Sequence, residues 1–137
     1  MRRAGRKIES TLLALALLAS AGALAAPPPA ADPAVAAAKA FIETMAQGHF
    51  SRAEKDFTAQ MRRAAPPEKL RQLWSALIRH GGPFEKTGAT RTMHEDGYTA
   101  VTVRTDFQRR PIGLEVAFDS AHRIAGLHLA RPPRARH

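Results

Sequence analysis

At Gly81-Gly82-Pro83 the apolar period of this chain changes from 3.6 to 2, and that switch divides it into a helical half and a sheet half. The stretch that ends there, Pro66 to Phe84, reads as one amphipathic helix with a marked start and stop. Pro66 and Pro67 do not continue a preceding helix but suit the first turn of a new one, where a missing N–H costs nothing. Glu68 lies near the positive end of the helix dipole, and Arg79 and His80 lie near the negative end. Leu70, Leu73, Trp74, Leu77 and Ile78 form a single apolar stripe, with Lys69, Arg71, Gln72, Ser75 and Arg79 opposite. Gly81 and Gly82 supply the left-handed stop, and Pro83 prevents a restart. Trp74, the only tryptophan, reads as a core anchor, with ligand stacking as the alternative.

Upstream, Asp32 caps a helix that begins at Pro33, carries the stripe Val35, Ala38, Phe41, Ile42 and Met45, and ends at Gly48. Ser51-Arg-Ala-Glu54 has the capping-box spacing for a second helix, with Phe50 placed to staple its first turns. Phe50, Ala53, Phe57, Met61 and Ala64 share one face of it. Thr58 is a candidate break, and the pattern leaves open whether this is one element or two.

Downstream, strands alternate. The first runs from about Phe84 to His94 and turns at Asp96-Gly97. Val101, Val103, Thr105 and Phe107 share a face in the second, and Ile112, Leu114, Val116 and Phe118 share one in the third. Folding these two about Arg109-Arg110 sets Phe107 against Ile112, Val103 against Val116, and Arg104 across from Glu115 on the outer face. Asp119 to His122 turns the chain into a last strand, whose Ala125, Leu127 and Leu129 align with Val116, Leu114 and Ile112. The expected fold is α+β: three or four N-terminal helices packed on one face of a curved, cone-like, four-stranded antiparallel sheet.

The chain has 137 residues, enough for one domain. Residues 1–25 have the layout of a secretory signal peptide: basic Arg2, Arg3, Arg6 and Lys7, an apolar run from Leu12 to Leu24, and a small-x-small site at Ala23-Leu24-Ala25. The apolar run is short for a span of ~20 residues, so the expectation is cleavage after Ala25, no membrane span afterwards, and a periplasmic or secreted product. Residues 26–32 read as a Pro/Ala linker, 33–130 as the domain, and 131–137 as a flexible basic tail. Removing four Lys/Arg and one Glu with the leader lowers the formal charge from +9 to +6, and the tail holds +3 of the remainder. With so little excess on the folded part, no specific nucleic-acid partner is expected. The absence of cysteine excludes disulfides, thiolate nucleophiles, Cys-ligated metal and lipidation at cysteine.

Short motifs stand in a particular order along the chain. Ala-Phe-Ile (40–42), Gly48-His-Phe50, Asp56-Phe57, Met61-Arg62, Pro67-Glu-Lys-Leu70, Leu73-Trp74 and Gly82-Pro-Phe84 come first; Gly97-Tyr98, Val116-Ala-Phe-Asp119 and Arg123-Ile-Ala-Gly-Leu127 follow. From about Ala34 to Leu129 the sequence resembles the bacterial family called domain of unknown function 3887. That resemblance implies a nuclear transport factor 2-like, or cystatin-like, cone with room for a pocket at its wide end, in exported proteins that sometimes carry an α/β-hydrolase domain. It supplies no catalytic residues, and no Gly-x-Ser-x-Gly elbow is present in this sequence.

A catalytic base needs an apolar pocket and a substrate-facing side chain. Asp106 and Glu115 fall on the outer face, Glu43 on the polar side of the first helix, and Asp56 beside Phe57 reads as a cap. The six histidines show no His-x-x-x-His or His-Glu-x-x-His spacing, so neither a metal nor another cofactor is expected. Arg91 depends on the first hairpin: a two-residue Asp96-Gly97 turn points it outward with Thr90 and Thr92 inward, whereas a three-residue turn points it into the cone and suggests an anionic ligand. The outward direction is favoured. The leading expectation is an exported, non-catalytic domain that binds a small apolar molecule or an envelope protein. Its candidate pocket residues are Phe41, Met45, Phe57, Trp74, Tyr98 and Arg91. The alternatives are an isomerase or dehydratase using the cone, and a structural module that pairs through its sheet as a homodimer.

Overall fold

The computed structural model describes residues 32–135. Helix α1 (Pro33–Ala46) starts as its cap residue dictates: Asp32 Oδ1 accepts the Ala34 N–H at 2.9 Å. Its buried side is Ala34, Ala38, Phe41, Ile42 and Met45, with Val35 half-buried. The second helical region is broken. Helix α2 (Phe50–Ala53) passes into a 3-10 turn (Glu54–Asp56), and α3 (Ala59–Ala64) begins afresh at Thr58. Thr58 Oγ1 accepts the Met61 N–H at 3.0 Å, which makes it the N-cap, and the neighbouring Asp56 caps nothing. The expected Ser51–Glu54 capping box is absent because Ser51 lies inside α2, two residues past the N-cap His49. Burial of Phe50 sets the entry point instead, and the Arg71 guanidinium sits 5.1 Å from the centre of its ring.

Helix α4 (Pro67–Gly81) has Pro66 as its N-cap residue and buries Leu70, Trp74, Leu77 and Gly81. The stripe is narrower than the periodicity implies, since Ile78 is 38% exposed and Leu73 only half-buried. The two glycines at the stop have different tasks. Gly82, at φ 86 and ψ -173, takes a positive-φ extended conformation open essentially to glycine alone, whereas Gly81 stays helical. A Cβ on Gly81 would lie 2.7 Å from Phe107 Cβ, so glycine there permits α4 to press against the sheet.

The sheet is an open antiparallel meander in the order β1 (Phe84–Glu95), β2 (Tyr98–Phe107), β3 (Pro111–Phe118) and β4 (Ile124–Ala130). The β1–β2 turn is the two-residue Asp96-Gly97 connection, both residues having positive φ, as a primed hairpin turn requires. Val101, Val103, Thr105 and Phe107 of β2 and Leu114, Val116 and Phe118 of β3 are buried beneath the helices, with Ile112 partly buried against them.

Two registers differ from the sequence-based expectation, each by two residues. In the β2–β3 pair Val101 faces Val116, Val103 faces Leu114 and Thr105 faces Ile112, so the turn is Gln108-Arg109 and not Arg109-Arg110. Contacts from outside the hairpin fix it there: Gln108 N–H donates to Pro83 O (2.9 Å) and Arg109 N–H to Gly81 O (2.7 Å). Likewise Leu127 faces Val116 and Leu129 faces Leu114. A shift of two leaves every side chain on its expected face and changes only its partners. Arg104 therefore lies across from Gly113 and not Glu115, and pairs along its own strand with Asp106 at 2.9 Å.

The core joins the helices to one side of this sheet. Trp74 packs against Phe84 and Phe107, each with 5.6 Å between ring centres, and Phe41 meets Phe57 at 5.7 Å. These tilted geometries are the favourable ones for aromatic pairs. Among the described residues no helix is long and apolar enough to cross a membrane.

Candidate functional site

The residues expected to line a pocket separate into three groups. Met45 and Phe57 have no exposed surface and Trp74 is 5% exposed, so all three belong to the packed interior between helices and sheet. Phe41 is also buried, but its edge contributes to the floor of a 290 Å³ cleft between α1, the 3-10 turn and the β3–β4 turn. Tyr98 and Arg91 lie on the sheet face that the helices leave uncovered.

The cleft beside Phe41 is apolar at its base, from Ala37, Phe118 and Ile124, and polar at its rim, from Arg52, Lys55, Asp56 and His122. Asp119 closes the turn that carries His122, its Oδ1 accepting N–H groups from Ala121 and Arg123 at 2.9 Å each. Asp56 is exposed, with no buried partner that would hold it as a base.

Tyr98 is the shared wall of two grooves on the open face. One, of 400 Å³, is formed with Met93, Ala100, Glu95, Asp96 and Glu115. The other, of 530 Å³, runs from Tyr98 past Ala117, Gly126 and His128 to Met61 and Ala64 of α3. Both result from strand alternation. Residues 98, 100, 115, 117, 126 and 128 point away from the core, and those at the centre are Ala or Gly, so the flanking side chains stand above a shallow floor. Tyr98 is 50% exposed and Met93 56%. Glu115 is the polar centre of this face: its Oε2 accepts from Thr102 Oγ1 at 3.4 Å, and its Oε1 lies 3.9 Å from His128 Nδ1.

Arg91 points outward with Thr90 and Thr92 inward, as the two-residue turn requires. Its place is with the C-terminal segment, which on sequence alone reads as a loose tail. After Ala130 the chain turns back over the open face, and Pro133 is buried. Arg104 Nη1 donates to Pro133 O at 3.2 Å, and Arg91 Nη2 reaches Arg131 O at 3.5 Å. Gly113 lies under the crossing, where a Cβ would collide with the Ala130 carbonyl. The Pro132-Pro133 pair and Gly113 were the available signals for this strap, but nothing in the period of the strands connects them.

Among the described residues no group of three or more His, Asp or Glu side chains is placed to hold a metal ion. The fold and its surface thus define an α+β domain with a helix-covered, close-packed side and an open sheet side. The chain belongs to the family described as "Protein of unknown function (DUF3887)", which matches residues 38–127. No curated protein and no solved structure matches it.

Proposed function

We propose that this protein is an exported, non-catalytic binding domain of the cell envelope, and that its ligand is a protein held against the open sheet face. The carrying observation is the contrast between the two sides of the sheet. Trp74, Phe57 and Met45 occupy the space in which a cone pocket would form, whereas Tyr98 and Met93 stand exposed on the other side. A small apolar molecule needs concave enclosure, but a protein surface needs only a shallow, mixed patch with aromatic and Met anchors. The acidic rim of Glu95, Asp96 and Glu115 around those anchors favours a partner that offers an apolar side chain flanked by Lys or Arg.

The basic, apolar and small-x-small layout of residues 1–25 supports export. The order of helices followed by a four-stranded meander supports a place among the nuclear transport factor 2-like folds. Against an enzyme of the isomerase or dehydratase kind stands the position of the carboxylates: Asp106 and Glu115 project from the open face and Asp56 from a surface turn.

Photo-crosslinking in intact cells tests this reading. A crosslinker at Tyr98 or Met93 is expected to give one discrete protein adduct in the envelope fraction, and a crosslinker at Gln72 on the outside of α4 none. Equal adducts from both faces, no adduct at all, or a small molecule retained by the purified protein in native mass spectrometry would overturn it.

A further inference from the structure

The two edges of the sheet are unlike. β1 carries the usual protection of an exposed edge: charged Glu85, Lys86, Arg91 and Glu95, and breaks in pairing between Phe84 and Lys86 and between Thr87 and Thr90. β4, Ile-Ala-Gly-Leu-His-Leu-Ala, contains no Lys, Arg, Asp, Glu or Pro, and its one irregularity lies at the Ile124 end. That end is already occupied, because Phe57 bridges to Ile124 and Thr58 N–H donates to Ile124 O at 2.9 Å. Beyond it, no backbone group of residues 125–129 has a hydrogen-bond partner outside β3 among the described residues. The strap leaves the edge line at Ala130 and crosses the open face over Gly113, so it does not cover β4. Leu129, on the helix side of the strand, is 60% exposed.

We propose that the free edge of β4 pairs antiparallel with β4 of a second copy, joining two sheets into one of eight strands. A neutral edge offers nothing to a partner selected by charge, but it is self-complementary under a two-fold axis. Because α3 blocks the Ile124 end, the axis passes beside His128. Leu127 then faces Leu129 of the second copy on the helix side, which covers the exposed Leu129 of each copy. Gly126 faces Ala130 of the second copy on the open side, and the two His128 side chains lie across the axis. No like charges meet in this register. The contact is small compared with stable interfaces of about 1,600 Å², so the association is concentration-dependent.

The natural absence of cysteine makes the test direct. Directly opposed residues in an antiparallel pair have Cβ atoms about 4.5–5.5 Å apart, close to disulfide reach. Under mild oxidation His128→Cys is expected to give a covalent dimer, and Lys86→Cys on the protected β1 edge is expected to stay monomeric. Sedimentation equilibrium of the purified wild-type chain is expected to show a monomer–dimer equilibrium. Leu129→Lys, at a position exposed enough to leave folding intact, should weaken it at least tenfold. A wild-type monomer up to about 1 mM overturns the proposal, and so does a dimer indifferent to Leu129→Lys that does not link through His128→Cys.

Discussion

Replacement of Trp74 by Ala separates a closed interior from one that opens to a ligand. Trp74 is 5% exposed and packs against Phe84 and Phe107. Truncation of a buried Trp to Ala costs about 3–5 kcal/mol, because the lost transfer free energy and the cost of the residual cavity add. Loss of two aromatic pairs places this site toward the upper end, about 4–5 kcal/mol. Domains of this size have total stabilities of about 5–15 kcal/mol, so the variant should lose between about a third of its stability and nearly all of it. With an m-value of about 2 kcal/mol/M, the urea midpoint should fall by roughly 2 M. Far-UV circular dichroism is the appropriate probe, since the substitution removes the only tryptophan. Trp74→Phe keeps one ring against both partners and should lose about half as much. Were the indole the wall of a solvent-filled pocket, truncation would sacrifice few contacts; a loss below about 1 kcal/mol would falsify the closed-core account.

Gly81→Ala should destabilise by about 1–3 kcal/mol in the same titration, because its methyl group would lie 2.7 Å from Phe107 Cβ between two packed elements. Thr58→Ala should cost about 1 kcal/mol through loss of the α3 cap, with Ser or Asp at this position restoring most of it. Gly113→Ala should cost about 1–3 kcal/mol by lifting the strap, and much less once residues 131–137 are deleted; additive costs in that double-mutant cycle would show that the strap does not rest on Gly113.

The fold was legible in the sequence wherever a local pattern decided it. Asp32-Pro33 marks a helix start that needs no tertiary information, and Asp96-Gly97 fixes both a turn type and the outward direction of Arg91. Alternation assigned each strand residue to its face but was silent on shifts of two, which leave the apolar pattern unchanged. The β2–β3 register is set by Gly81 O and Pro83 O, groups from another element, and Gln108-Arg109 carries no turn signature of its own. Capping-box spacing at Ser51 was overruled by burial of Phe50, which stabilises the chain more than a cap does. Periodicity also counts apolar residues without knowing what covers them. Ile78 and Leu129 lie at stripe positions, yet the packed layer does not extend over either. The open-face grooves leave no trace in the pattern for a related reason: Ala100, Ala117 and Gly126 form their floor by being small, and small residues barely mark an apolar period.

The bonds from Gln108 and Arg109 to the end of α4 have a kinetic consequence. Both side chains are exposed in a surface turn, where amide protons ordinarily exchange by local fraying. Here the two N–H groups are held by Pro83 O and Gly81 O, and Arg109 Nη2 adds a third bond to Arg79 O at 2.8 Å. The turn is released only when the helix end separates from the second strand, a motion that also uncovers Trp74 and Phe107. Its amides should therefore exchange at the rate of the global opening reaction, a slow-exchanging island in a loop, with the helix terminus and the hairpin behaving as one cooperative unit.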